Sequence, residues 1–519
     1  MTYSFNLVDQ KWIPCVQFDG RVQEFSLREA LTKAHTLRGL QGDSPLETAA
    51  HYRLLLAVLH SALRGPRNRS EWADLWAKGY WETELISRYL DKWHDRFDLF
   101  HPEKPFYQAK EMVNAREKTV NDVMPDIASA NNATLFNHNV DEAITPIPAS
   151  KAARTLVVLQ SMSIAGGWGL APKESSDAPW GRGVIFLVEG RTMFETLALN
   201  LLAYPDEKRN NMASNPTDRP AWENDDPYKP VRQIPEGYLD YLTWQNRRVL
   251  LFPEGDKNIP VVSLITMFTG LKQDAGLLDP MKLYRAGKEE GYYSIRFTED
   301  RALWRESASL FALRNQRGYF PPKTFYWLFD LAERNLVPKH QVFRFMALGM
   351  ANDQAKVEFF QEEHLPLPLN YLENDELVEI LAIGLQKAEN VRFSLKIASQ
   401  WFSTWIISPK SYDKKSWKEV DSITRKQAED MVRYWNVERY YWQQLEIPFL
   451  HLLEDLPEHP EAIETWHKTL RSTAKNALEQ AANAAGIDAT ALKAAVRARG
   501  MLGYSLKELF PEPEKEVTA

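Results

Sequence analysis

The chain has 519 residues, with 63 basic and 70 acidic side chains and a formal net charge of −7. That balance excludes a strongly basic protein that binds nucleic acid by itself through its overall charge. Hydrophobic residues make up 44% and charged residues 26%, which is typical of a globular protein and excludes a disordered chain. At roughly 150 residues per domain, the length predicts about two to four domains.

Cysteine usage and the N-terminus indicate the compartment. Cys15 is the only cysteine, which excludes an internal disulfide, a Cys-only zinc site and an iron–sulfur cluster. The N-terminus lacks the basic start and apolar run of a signal peptide, and no apolar stretch has the length of a membrane span. We therefore expect a cytoplasmic protein without a membrane partner.

The N-terminal region predicts short strands followed by helices. Phe5–Val8 and Trp12–Phe18 read as strands, and Pro45–Leu63 has helical spacing, with Ser44 as a possible N-cap. A second helical stretch spans Ser70–Trp93. Residues 114–150 are rich in Asn, Asp, Pro and Thr, which predicts long loops of functional importance or disorder.

The middle of the chain alternates between the two kinds of element. We expect helices over Ala152–Ser163, Met193–Leu202, Arg301–Leu313 and Pro321–Arg334, and strands over Gly183–Val188, Leu239–Phe252 and Tyr292–Phe297. A glycine-rich loop, Gly166-Gly167-Trp168-Gly169, continues to Arg182 between the first helix and the first strand. The region predicts a mixed α/β body.

Helical periodicity dominates from about residue 373 onward. The predicted helices are Glu376–Ala388, Val391–Ile407, Thr424–Leu453, Glu461–Ala485 and Thr490–Arg499. The predicted fold class is α+β, with a large mixed α/β N-terminal domain (1–372) that carries long functional loops. A C-terminal four-helix bundle (373–510) and a disordered tail (511–519) follow.

Known catalytic signatures are absent from the sequence. Gly270-Leu-Lys272 and Gly287-Lys288 lack the upstream glycine and the hydroxyl of a phosphate-binding loop. The Gly166–Gly169 loop lacks the third glycine of a dinucleotide fingerprint, and no Gly-x-Ser-x-Gly or His-Glu-x-x-His occurs. We interpret the protein as non-enzymatic, with no cofactor and no metal.

The remaining features point to binding. Glycines at 166, 167 and 169 allow a partner to approach the backbone closely, although an ordinary surface loop explains them about equally well. Lys468, Arg471 and Lys475 share one helix face. Two further basic clusters are Lys410–Lys426 and Lys493–Arg499. Any one cluster is more often a solvated face, but three in one domain favour a track for a phosphate backbone.

Five segments together resemble the CasA family, the large subunits of type I-E CRISPR Cascade surveillance complexes. In order they are Phe5–Asp9 with Trp12–Pro14, Asp98–Pro102 with Pro105–Gln108, Asp240–Gln245 with Arg247-Arg248, Leu348–Ala355, and Glu438–Leu453. Each is modest alone, whereas their order and spacing make the match specific. The resemblance runs from residue 5 to about residue 510.

The resemblance implies a non-catalytic role in antiviral defence. Such a subunit recognises the protospacer-adjacent motif (PAM) of double-stranded DNA through the minor groove and helps open the duplex for R-loop formation. It also helps recruit the helicase-nuclease. The implied partners are crRNA, target DNA, the helicase-nuclease and other Cascade subunits, namely the handle-binding subunit and the small subunits.

The resemblance also assigns site residues. A glycine loop falls on Gly166, Gly167 and Gly169, and a wedge falls on Asn352, Asp353, Gln354 and Ala355. Lys272 is the best candidate for a lysine finger that has no secure counterpart. A loop that contacts crRNA and the neighbouring subunit falls on Asn132, Leu135, Phe136 and Asn137. The bundle residues Lys468, Arg471 and Lys475 are assigned to the DNA backbone.

The sequence departs from the family pattern in two places. Some members bind zinc through cysteines between the positions of Phe252 and Gly276, and this chain has no cysteine there. Asp353 stands where an amide is familiar; its carboxylate repels phosphates but can accept a hydrogen bond from guanine N2. Two other functions stay open: a stand-alone metal-dependent nucleic-acid-processing enzyme, and a scaffold that does not contact DNA.

Overall fold

The computed structural model describes residues 3–111, 116–124, 145–166, 175–203, 217–274, 277–287, 291–299, 301–313, 318–339, 342–353, 356–414 and 416–511. The chain forms two compact units. The first consists of residues 1–299 and 316–369, and the second of residues 300–315 and 370–519.

The helices and strands alternate in the first part of the chain, and helices dominate the last part. The helices of the described chain are α1 (Leu27–Thr32), α2 (Pro45–Leu63), α3 (Arg69–Lys78), α4 (Thr83–Lys92), α5 (Ala149–Met162), α6 (Met193–Asn200), α7 (Tyr238–Leu242), α8 (Ser307–Phe311), α9 (Lys323–Glu333), α10 (Leu369–Glu373), α11 (Asp375–Ile407), α12 (Ser422–Trp435), α13 (Val437–Asp455), α14 (Ala462–Ala485) and α15 (Ala489–Leu509). The strands are β1 (Ile13–Val16), β2 (Val22–Phe25), β3 (Gly39–Leu40), β4 (Arg116–Thr119), β5 (Ile147–Pro148), β6 (Ile185–Glu189), β7 (Arg247–Asp256), β8 (Ile259–Thr269), β9 (Tyr284–Ala286), β10 (Tyr292–Ser294), β11 (Tyr319–Phe320), β12 (Phe343–Asp353) and β13 (Lys356–Leu367).

Helix α2 forms the centre of the first unit. Ser44 caps its N-terminus by accepting a hydrogen bond from the Glu47 amide, and Pro45 supplies a first-turn residue that has no amide proton to satisfy. The helix is buried on almost every side and packs against α5. Arg64, in the left-handed conformation, ends it. The predicted helix and its cap are both confirmed.

The described strands form four small antiparallel sheets. Their strand orders are β2-β1-β3, β10-β9-β11, β13-β12-β6, and β4-β8-β5 with β7 paired to β8. The segment between Phe252 and Gly276, in which some family members carry zinc-binding cysteines, contains the whole of strand β8, which pairs with β7 along its length. Ladder hydrogen bonds therefore hold this segment in the present chain.

Three predicted elements of the first unit differ from the structure. Residues 239–252 begin as helix α7 and only then enter β7, because Asp218 caps the Leu239 and Asp240 amides at a helix start. Phe5–Val8 forms a turn with one isolated bridge at Asn6. The helical stretch over 70–93 is two helices, since Gly79 adopts the left-handed conformation at the end of α3.

The second unit is a helical bundle in which α11 packs against α12, α13, α14 and α15. The two predicted helices within 376–407 are one continuous helix, whereas the predicted 424–453 helix is divided by Asn436 in the left-handed conformation. Residues 301–313 also belong to this unit, although the sequence assigned them to the N-terminal domain. The α+β class and the C-terminal helical region are confirmed.

Candidate nucleic-acid interface

The base of the glycine loop is closed by two hydrogen bonds. The Gly166 amide donates to Ser175 Oγ at 3.0 Å, and the Ala165 amide donates to Asp177 Oδ1 at 2.7 Å. Gly166 has a φ of 70°, a conformation that glycine adopts without steric cost. The other two loop glycines, Gly167 and Gly169, lie outside the described residues. The described part therefore fixes where the loop begins and ends.

A buried arginine forms hydrogen bonds with both ends of the glycine loop. Arg247 is fully buried, and its guanidinium donates to the carbonyl of Ile164 at 3.0 Å and to that of Ser176 at 3.1 Å. Burial lowers the pKa of Arg247 to about 10, so the group stays charged at neutral pH. Since one side chain contacts both ends, the spacing of the loop ends depends on it.

Lys272 lies next to the loop base. The amide of its neighbour Gln273 donates to Ser176 Oγ at 3.3 Å, and the preceding Leu271 amide donates to the Gln245 carbonyl at 2.9 Å. The Lys272 side chain is exposed. The structure therefore brings the lysine and the glycine loop together, and their roles in DNA binding stay predictions.

Buried charges order the chain where it returns from the glycine loop. The Lys282 ammonium donates to the carbonyls of Pro179 at 2.8 Å and Arg182 at 2.5 Å. Burial lowers the pKa of Lys282 to about 8. Asp279 accepts from Trp180 Nε1 at 2.6 Å and from the Tyr241 hydroxyl. The hydrophobic core thus contains a polar anchor beneath residues 179–182.

The wedge residues stand at the end of a long β-hairpin, β12–β13. Asn352 pairs with Val357 and Asp353 with Lys356, so Gln354 and Ala355 come between the two strands in the sequence and lie outside the described residues. Strand β6 pairs with β12 only as far as Leu348. The remaining length of β12 pairs with β13 alone, which at about 3.3 Å per residue extends the hairpin by roughly 15 Å beyond β6.

A pair of glycines connects this hairpin to the glycine-loop segment. A side chain at Gly349 would place its Cβ 3.0 Å from the Gly183 carbonyl oxygen and 3.4 Å from the ring of Phe297. Gly183 itself has a φ of 94°. The two backbones therefore pass so closely that any Cβ at position 349 would require one of them to shift by a few tenths of an ångström.

Sequence reasoning missed the hairpin and the arginine anchor. The hairpin had a signal: two runs rich in Phe, Val and Leu flank the polar residues 352–354, a pattern typical of two strands and a turn. No sequence signal indicated that Arg247 is buried, because a basic residue next to a second arginine is typical of a charged surface. Its burial depends on carbonyls that lie 71 and 83 residues away in the sequence.

The assigned crRNA-contact residues Asn132, Leu135, Phe136 and Asn137 lie outside the described residues, so this assignment stays a prediction. In the bundle, Lys468 and Lys475 are exposed on α14. Arg471 is partly buried, with its guanidinium carbon 5.5 Å from the ring centroid of Phe510. The three bundle residues are therefore not equivalent.

The cluster over 493–499 is not one basic face. Arg499 forms two hydrogen bonds of 2.7 Å with Glu479 of α14, so its charge is compensated within the bundle. Arg499 is two positions after Arg497, so the two side chains are about 200° apart around the helix axis. Packing between α14 and α15 therefore accounts for one of the arginines that the sequence counted as basic surface.

The described residues show neither a metal-ligand cluster nor a membrane-spanning helix. No group of three or more His, Cys, Asp or Glu side chains in the described ranges could hold a metal ion. No helix in that part of the chain is both long and apolar enough to cross a membrane. His94 Nε2 lies 2.8 Å from Asp9 Oδ2.

The fold thus comprises an α+β unit, which carries the β12–β13 hairpin, and a unit of helices. The profile of the family described as CRISPR-associated protein Cse1 matches residues 6–477. A CasA/Cse1 protein of Thermus thermophilus is 30% identical over 98% of each chain. The chain belongs to the CRISPR-associated protein Cse1 family.

Solved structures have the same fold. The crystal structure of Thermus thermophilus CasA superposes with a TM-score of 0.78 at 28% identity, covering 97% of this chain and 99% of that one. A chain of a CRISPR RNA-guided surveillance complex superposes with a TM-score of 0.73 at 20% identity, covering 96% and 100%. At 20% identity, the second likeness concerns the fold alone.

Proposed function

We propose that this chain is the non-catalytic large subunit of a type I-E CRISPR surveillance complex, where it recognises the PAM in double-stranded DNA and helps open the duplex. The observation that supports the proposal is that segments adjoining the three assigned elements contact one another within the first unit. The glycine-loop base contacts the Lys272 segment through Ser176, and Gly183, on the chain that returns from that loop, lies against the hairpin at Gly349. The family membership and the fold support it.

The arrangement suits minor-groove recognition. A·T and T·A pairs both present only acceptors in that groove, so a reader made of backbone amides, one lysine and an amide side chain tolerates several sequences. The guide RNA then reads the rest of the target by base pairing. In this proposal the hairpin tip separates the first base pair, which costs a few kcal/mol of stacking.

In this proposal the two parts of the chain have different roles. Residues 1–372 read the PAM and dock at the end of the complex that holds the crRNA 5′ handle, where the handle-binding subunit lies. Residues 373–510 contact the displaced DNA and the small subunits, and the assembled subunit helps recruit the helicase-nuclease. The net charge of −7 fits a protein that gains basic surface from its neighbours.

The test uses the assembled complex and a PAM-containing duplex with a fluorescent base beside the PAM. Gln354→Ala is expected to reduce target binding and strand opening, and Gly167→Val is expected to block duplex approach. Size-exclusion chromatography should show intact assembly for both variants. Arg38→Ala, at an exposed residue of the first unit, is the control and should bind as the parent does. Unchanged target binding in both site variants would reject the assignment.

A further inference from the structure

The small sheet β10-β9-β11 carries a row of three side chains on one face. Arg285 of the central strand β9 lies directly opposite Tyr293 of β10 on one side and opposite Tyr319 of β11 on the other. Residues that lie directly opposite each other in antiparallel strands project from the same face of the sheet. The three side chains therefore form one row, Tyr293–Arg285–Tyr319, whose tyrosine backbones are about 10 Å apart across two strand spacings.

This face of the sheet is open to solvent, whereas the other face packs on the first unit. Tyr293 is 58% exposed, Arg285 is exposed and Tyr319 is partly exposed. On the other face, Tyr284 is buried, and its hydroxyl accepts a hydrogen bond from the Asp279 amide at 2.7 Å. The sheet is thus anchored on one side and presents the tyrosine–arginine row on the other.

The guanidinium of the row is not used by the fold. Arg285 forms no hydrogen bond or ion pair with another described residue. Its five N–H donors, in a rigid fork, match the geometry of a phosphate group. The turn at 288–290, which joins β9 to β10, carries one basic and two acidic residues and lies outside the described residues. Because this turn adds no net positive charge, we expect rings rather than charge to supply most of the affinity of any ligand.

The order of the row matches the order of groups along a single strand of nucleic acid. Aromatic rings on the strands of an exposed sheet stack successive unpaired bases in RNA-recognition domains. Every base has an aromatic face, so such stacking binds single strands of many sequences, and basic groups between the rings bind the backbone. A ring, a guanidinium and a second ring therefore suit a base, a phosphate and the next base.

The sheet is connected to the base of the β12–β13 hairpin. Ile295, directly after β10, accepts a hydrogen bond from the Val184 amide at 2.9 Å. A Cβ at Gly349 of β12 would lie 3.0 Å from the carbonyl oxygen of the preceding Gly183 and 3.4 Å from the ring of Phe297. Gly349 is four residues before the last residue of β12, which is about 13 Å along the strand. The row therefore belongs to the part of the first unit from which the hairpin extends.

We propose that the tyrosine–arginine row binds single-stranded DNA. Two bases stack on Tyr293 and Tyr319, and Arg285 binds the phosphate between them. The row holds DNA that the hairpin has unpaired and so opposes re-pairing, without adding sequence preference. The proposal rests on the proposed function only for the source of the strand.

Matched oligonucleotides test the stacking. Fluorescence anisotropy on the full chain compares a twelve-nucleotide deoxythymidine strand with an abasic strand of the same length, which has the same phosphates and no bases. The thymidine strand should bind at least about tenfold more tightly. Equal affinities for the two strands would overturn the proposal.

Variants assign the rings. Tyr293→Ala and Tyr319→Ala should each weaken the thymidine strand about tenfold and leave the abasic strand unchanged, whereas Tyr293→Trp, which retains a stacking surface, should bind as the parent does. Tyr80→Ala is the matched control, since Tyr80 is a 49% exposed tyrosine elsewhere in the first unit. An equal loss in the Tyr80 variant, or none in either row variant, would contradict the assignment.

Salt dependence assigns the arginine. Arg285→Ala should weaken both strands and lower the salt slope of binding by about 0.7, the value for one phosphate of a single strand. Arg285→Lys keeps the charge and should keep the slope. A slope that does not change in Arg285→Ala would show that this side chain does not bind the phosphate.

Cross-linking in the assembled complex tests the source of the strand. We place 5-iodouracil either in the DNA beside the PAM or in the crRNA, and map the photoproducts by mass spectrometry. Cross-links from DNA to Tyr293 or Tyr319 are expected. Cross-links from crRNA alone would overturn the assignment to DNA, and loss of assembly in Tyr293→Ala would show that a protein subunit covers this face instead.

The experiments keep the two proposals apart. Single-strand binding is measured on the full chain without a PAM, and PAM recognition is measured with Gln354→Ala in the assembled complex. A failure of PAM recognition therefore leaves the single-strand result standing, and equal binding of thymidine and abasic strands leaves PAM recognition standing.

Discussion

His364 is held between two carboxylates on the sheet that supports the hairpin. Its ring nitrogens lie 3.0 Å from Glu189 Oε2 and 3.0 Å from Glu362 Oε1. The hydrogen bond with Glu189, followed by that with Glu362, raises the pKa of His364 from 6.5 to about 9. Arg344 also faces Glu189, at 3.8 Å, and competes for its charge. The imidazole is therefore protonated at neutral pH.

This raised pKa predicts how stability depends on pH. The folded protein binds the proton more tightly than the unfolded chain, so the contribution is complete below pH 6.5 and is lost as the pH rises from 6.5 to about 9. Near pH 6 the melting temperature of the parent protein should therefore be higher than that of His364→Gln, and the difference should shrink towards pH 9.5. Differential scanning calorimetry at several pH values measures it. A difference that is constant with pH would contradict the prediction.

At the scale of single residues, local chemistry could be predicted and long-range burial could not. Ser44 was identified as a cap because its oxygen bonds an amide three residues away, within the same sequence window. The sequence assigned no buried role to Lys282 or Arg247. Their roles depend on carbonyls about 70 to 100 residues distant, which no local pattern reports.

At the scale of elements, a substitution of Gly349 tests what positions the β12–β13 hairpin. Alanine at this position would place Cβ 3.0 Å from the Gly183 carbonyl oxygen, which is tighter than nearly all Cβ contacts in proteins. Gly349→Ala should therefore displace the hairpin at a cost of about 1–3 kcal/mol, which is typical of overpacking. Hydrogen exchange of the Leu348–Ala351 amides should accelerate, and strand opening by the assembled complex should fall.

The matched control for Gly349 is another glycine with space around it. A Cβ at Gly500, inside α15, would meet no atom within 4 Å. Gly500→Ala should stabilise the bundle by up to about 1 kcal/mol, because alanine is the better helix former. If the Leu348–Ala351 amides of Gly349→Ala exchange as slowly as those of the parent, the close approach of Gly349 to Gly183 does not position the hairpin.

Helix α14 carries the test of the bundle as a DNA-tracking surface. Lys468 and Lys475 are exposed, whereas Arg471 contacts Phe510, so the double reversal to Glu at 468 and 475 changes charge without removing that packing. It should weaken all targets about equally and flatten the salt dependence of binding, by up to about one unit of slope for each phosphate that is no longer neutralised. Measurements at several salt concentrations, with two PAM sequences, provide the check. A changed PAM preference at unchanged affinity would make the bundle a reader of sequence.

Helices were easier to predict than strands at the scale of elements. The helical spacing of apolar residues in α2 can be recognised within one continuous stretch of sequence. The predicted boundaries at residues 45 and 63 are confirmed. Strand β12 pairs on one side with β6, more than 150 residues earlier in the chain, and buries both of its faces over part of its length. Its residues therefore lack the alternation that marks a half-buried strand.

For the whole molecule, the proposal predicts a chain without nuclease activity and without structural zinc. Purified protein with Mg²⁺ or Mn²⁺ should leave single- and double-stranded DNA intact, and elemental analysis should return far less than one zinc per chain. Cys15 is buried, and burial raises the pKa of its thiol well above the usual range, so it is a poor ligand. DNA cleavage that EDTA abolishes, or zinc retained after chelation, would count against the proposal.

The second unit is built from two separate stretches of sequence, and this affects how it can be isolated. Within the unit, the Trp304 ring lies 4.6 Å from Phe449, and the Arg305 guanidinium lies 3.8 Å from the Trp442 ring centroid. A fragment that starts at Asn370 would lack both partners and expose apolar surface; removal of one such tryptophan costs about 3–5 kcal/mol. A recombinant bundle would therefore need residues 301–313 supplied through a linker or in trans. Chimaeras between relatives should exchange both stretches together.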